Sequence, residues 1–235
     1  ENLHSVIEDI GNFLLKKKIG FFIDSKLFRT NSKSKFKKFS ASVNSILRKK
    51  DIILLSLGGD GTFLRSARLV GSRNIPILGV NLGNLGFLAE VRTNEITHFI
   101  NDILKGNYRV TERVILEAQI NRKKIFGLND IVIDKADSIR MINIDAFYND
   151  EKIFKVIADG IIISTPTGST GYSLSSGGPV ISPQSSVFSV TPICPHSLNI
   201  RPIIIPDDGH ITIRTLGSSI ARVTADGQTY ISGKS

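Results

Sequence analysis

One carboxylate stands inside a glycine-rich turn early in the sequence. Asp60 lies between Gly59 and Gly61, soon after the apolar run Ile52–Leu57. Such a run predicts a buried parallel strand, and ligands bind where strands of an open α/β sheet end. Glycines let phosphate approach the backbone, so a carboxylate here either takes a proton from an attacking hydroxyl or holds a cation. The plain alternative is an Asp-Gly turn that only ends the strand.

A second candidate region is rich in hydroxyls and glycines and spans residues 159–179. The apolar residues Ile161–Ile163 lead into it. Backbone N–H groups and hydroxyls in such a loop donate hydrogen bonds to ribose and phosphate oxygens. Tyr172 either stacks on a base or packs on the core. A flexible linker is the alternative, but the flanking apolar residues disfavour it.

A third glycine-containing loop, residues 81–88, carries a weaker signal. Gly83 and Gly86 have a spacing found in nucleotide loops, again after a strand-like run. The loop fits neither the full dinucleotide fingerprint nor the Walker A sequence, which excludes P-loop phosphate binding.

The elements around these motifs predict two kinds of structure. Helical periodicity over residues 4–18, 36–48 and 62–70, the last capped by Thr62, alternates with strand-like runs at 19–23, 52–57 and 76–80. This alternation predicts a doubly wound α/β unit over about residues 1–95. A short helix around Glu95–Leu104 follows. Short β-like runs separated by turn residues then predict an all-β module; these runs are 114–120, 130–133, 142–147, 161–164, 203–205, 211–214 and 221–224.

Composition and charge narrow the class of protein. Residues 1–50 hold twelve lysines and arginines against four acidic residues, so +8 of the net +9 lies there. Lys33–Lys38 is either a nucleic-acid patch or, as we favour, a solvated surface, because the remainder of the chain is near neutral. The single cysteine, Cys194, allows no internal disulfide. No apolar run reaches the roughly 18 residues of a membrane span, and residues 1–20 lack a signal-peptide core. We therefore expect a cytoplasmic protein without nucleic-acid or membrane partners.

Together these motifs resemble the NAD kinase family. They stand in the family's order and approximate spacing, and they are Gly58–Gly61, Leu128–Asp130, Thr167–Pro179, Pro192–Leu198 with Arg201-Pro202, and Asp226–Gln228. The Gly-Gly-Asp-Gly box also occurs in diacylglycerol and sphingosine kinases and in phosphofructokinases. The long Thr/Ser/Gly stretch and the Pro-His box are more specific to NAD kinases.

The resemblance implies an α/β Rossmann-like N-terminal domain over residues 1–95 and an all-β sandwich over residues 96–235, with the active site between them. The family's first and last strands are missing from this sequence, so we expect a fragment truncated at its C-terminal end and also at its start. The implied reaction is phosphorylation of the 2′-hydroxyl of the adenosine ribose of NAD. ATP with a divalent metal, Mg²⁺, is the implied donor, and a homo-oligomer of two or four copies is the implied assembly.

The resemblance also assigns site residues. Asp60 is the implied catalytic residue. Asn129 and Asp130 are expected to hold ribose hydroxyls. Many bacterial relatives have a basic residue where Ile157 stands, and either Lys155 or Arg140 is the expected substitute. The residues expected to bind the dinucleotide are Gly61, Asn129, Asp130, Arg140, Asp159, Thr170, Gly171, Tyr172, Ser173, Leu174, Ser175 and Gln228.

Other functions stay open at this point. A lipid kinase of the diacylglycerol or sphingosine type shares the Gly-Gly-Asp-Gly box but has no need of the Pro-His box. A non-catalytic NAD-binding sensor would bind NAD without turnover. A basic nucleic-acid binder would use residues 1–50 and show a steep salt dependence.

Overall fold

The computed structural model describes residues 3–28, 34–83, 86–216 and 221–233. Lys33, Asn84 and Leu85, which belong to the motifs above, lie outside the described residues. Contacts within the chain divide it into two compact units between Thr111 and Glu112. This division falls later than the predicted boundary at residue 95.

The helices lie mainly in the first unit. The α-helices are α1 (Leu3–Lys16), α2 (Val43–Ile46), α3 (Asp60–Val70), α4 (Ile96–Leu104) and α5 (Tyr172–Ser175). Short 3₁₀ helices cover Ser25–Phe28, Lys35–Phe39, Thr93–Glu95 and Thr167–Thr170. Helices α1 and α4 share a core cluster, which places α4 in the first unit.

Parallel strands form the centre of the first unit. The strands are β1 (Ile23–Asp24), β2 (Ser40–Ala41), β3 (Leu54–Leu57), β4 (Ile77–Asn81) and β5 (Val91–Arg92). Strands β3, β4 and β5 form a parallel sheet in that order, and β1 pairs with β2 in parallel.

Helices cover both faces of the β3–β5 sheet. Leu55 and Leu57 pack with residues of α1 and α4. Ser56 points the other way, because successive strand residues face opposite sides. Its hydroxyl accepts a hydrogen bond of 3.0 Å from Ser66 of α3. The predicted α/β class of the N-terminal region is therefore confirmed.

The predicted helix over residues 36–48 is wrong. Ser34 accepts a hydrogen bond from the N–H of Phe36 and begins a 3₁₀ turn, but Ser40 and Ala41 then pair with β1. This strand pairing interrupts the helix. The ammonium groups of Lys35 and Lys38 lie over the rings of Phe36 and Phe39, respectively.

The second unit consists mostly of strands. They are β6 (Leu116–Ile120), β7 (Lys123–Gly127), β8 (Asp130–Asp134), β9 (Ile142–Tyr148), β10 (Glu151–Ala158), β11 (Gly160–Ser164), β12 (Val187–Ile193), β13 (Ile203–Pro206), β14 (Ile211–Leu216), β15 (Ala221–Ala225) and β16 (Thr229–Gly233). An antiparallel six-stranded sheet has the order β13-β12-β11-β8-β15-β16, and a three-stranded sheet has the order β10-β9-β14. Strands β6 and β7 form a hairpin.

The two larger sheets share one hydrophobic core. Ile144 of β9 and Val156 of β10 belong to the same buried cluster as Ile161 of β11 and Val223 of β15. Sheets that pack face to face in this way form a sandwich. The predicted all-β sandwich is confirmed. Among the described residues, no helix has both the length and the apolar character needed to cross a membrane.

Candidate active site

The carboxylate of Asp60 binds the backbone of the loop that follows β4. Its Oδ2 accepts a hydrogen bond from the N–H of Phe87 at 2.9 Å. Its Oδ1 accepts from the N–H groups of Leu88 at 3.0 Å and Ala89 at 3.1 Å. Asp60 lies in the first turn of α3, which begins after Gly59 and so starts earlier than the predicted cap at Thr62. These bonds hold the carboxylate in one orientation.

The Asp60 carboxylate keeps some acceptor capacity. An ionised carboxylate has about four lone-pair positions, and the described residues use three of them. Among the described residues, Oδ2 accepts from the N–H of Phe87 and from no other group, so the remaining position lies on Oδ2. An oxygen held in this way is suited to accept a hydrogen bond, and then a proton, from a hydroxyl.

Close backbone contacts explain two of the glycines around Asp60. A Cβ on Gly86 would overlap the Asp60 carboxylate. A Cβ on Gly58 would overlap the Thr62 hydroxyl. Gly58 also has a φ of 153°, a backbone angle that residues with a side chain rarely adopt. The glycines therefore bring the two loops together around the carboxylate.

A polar cavity of about 540 Å³ lies on the second unit. Of the predicted site residues, it is lined by Asn129, Asp130 and Tyr172. It is also lined by residues to which the sequence assigned no role, namely Asp134, Arg222, Thr224, Asp226 and Tyr230. The cavity faces away from the sandwich core, because Asp130, Val132 and Asp134 alternate along β8 with the core residues Ile131 and Ile133.

Two buried polar groups line this cavity. Asp130 is 5% exposed, and this burial, together with the negative charge of Asp226, raises the pKa of its carboxyl to about 6. Asn129 Oδ1 is buried and accepts no hydrogen bond from the described residues. Buried polar groups normally have partners, so Asn129 Oδ1 is a candidate position for a ligand donor, and the Asp130 carboxyl lies beside it in the chain.

Asp134 and Arg222 form an ion pair on the cavity wall. Asp134 accepts from Arg222 Nε at 3.3 Å and lies 3.2 Å from Arg222 Nη2. Asp134 also accepts from the N–H of Ala136 at 2.7 Å. Side chains alternate along β8, so Asp134 lies on the same face as Asp130. This alternation is visible in the sequence, but Asp134 was not predicted to be a site residue.

Asp159, which was predicted to contact the dinucleotide, lies outside the cavity lining. Its Oδ1 accepts from Lys135 Nζ at 2.6 Å. Arg140 is exposed and its side chain does not line the cavity, whereas Lys155 lines a second cavity of about 290 Å³ together with His196. Gln228 is exposed in the turn after β15 and Gly61 is exposed on α3, and neither lines the larger cavity.

Hydroxyls of the long Thr/Ser/Gly stretch fasten the loop itself. Thr165 Oγ1 donates to the carbonyl of Leu128 at 2.6 Å and accepts from the N–H of Gly168 at 3.1 Å. Ser169 Oγ donates to the Pro166 carbonyl at 2.7 Å. These side chains are buried and bond to the backbone, so they stabilise the conformation of the loop. Thr165 and Ser169 were not among the predicted site residues.

The segment Thr170–Ser175 divides between core and surface. Ser173 is fully buried and its hydroxyl lies 3.2 Å from Thr191 Oγ1, so it does not point at the cavity as expected. Leu174 and Ser175 are exposed, and Thr170 and Gly171 are partly buried. Tyr172 is about half exposed and lines the cavity. Burial and nearby negative groups raise the pKa of its phenol.

Two glycines of this loop give a matched pair of variants. A Cβ on Gly168 would overlap the backbone of Asn129, whereas a Cβ on Gly171 would meet nothing nearer than the Gly168 carbonyl oxygen at 3.2 Å. We expect Gly168→Ala to lower the free energy of unfolding by roughly 1–3 kcal/mol and Gly171→Ala by about 0.5 kcal/mol or less. Urea unfolding of both variants measures this. Equal losses would mean that the loop does not depend on this close approach.

The described residues offer no preformed metal cage. No group of three or more His, Cys, Asp or Glu side chains among them is arranged to hold a metal ion. Magnesium that accompanies a nucleotide is usually held by one or two carboxylates and by the phosphates. A nucleotide-borne cation therefore has no need of a protein cage here.

The two units, an α/β unit in which Asp60 binds the loop after β4 and a β-sandwich that carries the Asn129–Asp130 cavity, each match a family model of phosphotransferases that act on a hydroxyl group. The ATP-NAD kinase N-terminal domain matches residues 12–108, and the ATP-NAD kinase C-terminal domain matches residues 128–234. The chain belongs to the NAD kinase family.

Individual relatives agree with this assignment. The chain is 46% identical to the NAD kinase of Heliobacterium modesticaldum over 80% of its own length and 69% of that protein. It is 48% identical to the NAD kinase of Bacteroides fragilis over 68% of its own length and 57% of that protein. It is 42% identical to the NAD kinase of Geotalea daltonii over 88% of its own length and 73% of that protein. The chain thus spans 57% to 73% of the length of these relatives.

Solved structures share the fold. The crystal structure of yeast NADH kinase complexed with NADH superposes with a TM-score of 0.82 at 28% identity, covering 97% of this chain and 72% of that one. The crystal structure of an NAD kinase from Archaeoglobus fulgidus in complex with ATP superposes with a TM-score of 0.78 at 22% identity, covering 100% of this chain and 84% of that one. At 22% identity, this likeness shows a shared fold.

Proposed function

We propose that this protein transfers the γ-phosphoryl group of ATP to the 2′-hydroxyl of the adenosine ribose of NAD, which yields NADP and ADP. The observation that carries the proposal is the polar pair Asn129 and Asp130 on the wall of the cavity. Asn129 Oδ1 is buried and lacks a partner among the described residues, and Asp130 is an almost fully buried carboxyl. One ribose hydroxyl can supply the donor that Asn129 Oδ1 lacks, and another can donate to the Asp130 carboxyl.

Asp60 is proposed to act on the reacting hydroxyl. Its carboxylate accepts the proton of the 2′-hydroxyl as the ribose oxygen forms a bond to the γ-phosphorus. The bond from the γ-phosphorus to the bridging oxygen of ADP breaks, and ADP leaves with that electron pair. A ribose hydroxyl is a poor nucleophile, so a positioned base contributes about 100- to 10,000-fold. The fixed carboxylate with a spare acceptor position on Oδ2 supports this role.

The remaining proposed ligand contacts follow from the family resemblance and the cavity lining. Tyr172 borders the cavity, and we expect its ring to pack on the dinucleotide. Gly61, Arg140, Asp159, Thr170, Gly171, Leu174, Ser175 and Gln228 stay predictions as dinucleotide contacts. Mg²⁺ would accompany ATP and neutralise its phosphates. A cytoplasmic location, a homo-oligomer and the lack of nucleic-acid partners also stay predictions.

An NADP-forming assay on the intact protein tests the proposal. NAD and magnesium ATP should give NADP, and NADH in place of NAD defines the range of acceptors. Phosphate transfer to diacylglycerol vesicles without transfer to NAD would instead support a lipid kinase. NAD binding by calorimetry without any NADP formation would support the sensor, and steeply salt-dependent duplex binding would support a nucleic-acid binder.

A further inference from the structure

The carboxylate of Asp226 binds three successive backbone amides far away in the sequence. Its Oδ1 accepts from the N–H of Asn129 at 2.7 Å and from that of Asp130 at 3.3 Å. Its Oδ2 accepts from the N–H of Leu128 at 3.1 Å. These amides lie 96 to 98 residues earlier in the chain. One side chain therefore fixes the backbone that carries both members of the buried cavity pair.

The position of Asp226 is itself set by a tight turn. Asp226 and Gly227 have φ values of 50° and 61°, and the N–H of Gln228 donates to the carbonyl of Ala225 at 3.0 Å. Two positive φ values are typical of the turns that join twisted antiparallel strands. Ala225 of β15 pairs with Ile131 of β8, and the N–H of Asp226 donates to the carbonyl of Asp130. The turn thus lies directly beside the start of β8.

We propose that Asp226 is a positioning residue for the phosphoryl acceptor, which holds Asn129 and Asp130 so that their side chains meet the ribose hydroxyls. This inference rests on the proposed function. A neutral side chain in its place would accept fewer of the three amide bonds and leave a partly buried donor without a partner. The Leu128–Asp130 backbone would then shift relative to the cavity.

Asp226 also carries a charge that faces Asp130. The other charged or titratable groups on this cavity are Asp134, Arg222, Tyr172 and Tyr230. Burial is the main cause of the raised pKa of Asp130, and the Asp226 charge adds to it. Removing that charge lowers the pKa of Asp130. Because an ionised Asp130 is the form that accepts ribose hydroxyls, the acid limb of kcat/KM should move to lower pH.

The test is steady-state kinetics of the intact protein with Asp226→Asn across pH. We expect KM for NAD to rise on the order of tenfold to hundredfold, with a smaller effect on kcat. The acid midpoint of kcat/KM should fall below that of the parent, because the pKa of Asp130 is lowered when the Asp226 charge is removed. Asp226→Glu keeps the charge on a longer side chain, which misaligns the carboxylate with the three amides. KM should therefore rise while the acid midpoint stays at the parent value.

Val223→Ala is the matched control for lost stability. Val223 is buried on the core face of the same strand and does not line the cavity. This variant should lower the melting temperature but leave KM and the acid midpoint unchanged. The proposal is overturned if Asp226→Asn behaves like Val223→Ala, or if Asp226→Glu moves the midpoint as Asp226→Asn does. A parent protein that makes no NADP and binds no NAD would instead overturn the proposed function, and this inference with it.

Discussion

Asp60→Asn is expected to lower turnover by about 100- to 10,000-fold while NAD still binds. The physical reason is that an amide oxygen accepts a hydrogen bond but takes up no proton at neutral pH. The oxygen of the introduced amide retains the geometry needed for the N–H groups of Leu88 and Ala89, which both bond to Oδ1 in the parent. The introduced NH₂ group would face the N–H of Phe87, so a modest loss of stability accompanies the loss of turnover.

Three measurements separate chemistry from folding in Asp60→Asn. Single-turnover kinetics reports the phosphoryl-transfer step, calorimetry reports NAD affinity, and thermal unfolding reports the stability of the first unit. Gly86→Ala is a useful control, because its Cβ would displace the same loop while the carboxylate remains. If Asp60→Asn turns over at a near-normal rate, Asp60 has no catalytic part. If Gly86→Ala loses as much turnover as Asp60→Asn at equal stability, the role of Asp60 is to hold the loop.

Asp130→Asn is expected to stabilise the protein at pH 8 while weakening NAD binding. The folded-state pKa of Asp130 is about 6 against an ordinary value of 3.8. The folded state therefore binds this proton more tightly than the unfolded state. The resulting stability is fully present below pH 4 and is lost as pH rises through about 6. The loss is on the order of 3 kcal/mol, and an asparagine avoids it because it never ionises.

Urea unfolding of Asp130→Asn and of the parent between pH 4 and pH 8 measures this gain. The difference between the two free energies of unfolding should grow with pH and level off above about pH 7. NAD affinity should fall by roughly 1.5–3 kcal/mol, because a charged acceptor for ribose hydroxyls is lost. Asn129→Ala is the control, since it should weaken NAD binding without any pH-dependent gain. A parent and variant that differ by the same amount at every pH would show that Asp130 does not titrate near 6.

The chain sequence predicted the two fold classes and the strands that deliver the main motifs. Ile161–Ile163 forms a fully buried strand as expected, whereas the run Ile52–Leu57 forms its parallel strand over Leu54–Leu57, where Ser56 alone is buried. Strand β12 was missed because it contains Pro192, a residue that usually disfavours interior strands. The helix over 36–48 failed because pairing of Ser40 and Ala41 with β1, a tertiary interaction, overrides local periodicity.

The cavity was predictable only in part. Asn129 and Asp130 stand out because they form a polar pair at the start of an apolar run. Asp134 and Arg222 come together only through the pairing of β8 with β15, and register between distant strands is not visible in local sequence. Ser173 was predicted to face the dinucleotide, but its hydroxyl is buried beside Thr191. The sequence of a hydroxyl-rich loop does not show whether its hydroxyls face a ligand or the core.

The place of β15 in the six-stranded sheet has a consequence for biosynthesis. Strand β8 lies between β11 and β15, and β15 begins at Ala221, long after β8 ends at Asp134. A nascent chain that has left the ribosome only as far as β14 exposes one edge of β8 with unpaired backbone groups. Exposed edges invite pairing with other chains. Asp226 is also still apart from Asn129 and Asp130 at that stage, so the cavity is completed only after nearly all of this sequence has been translated.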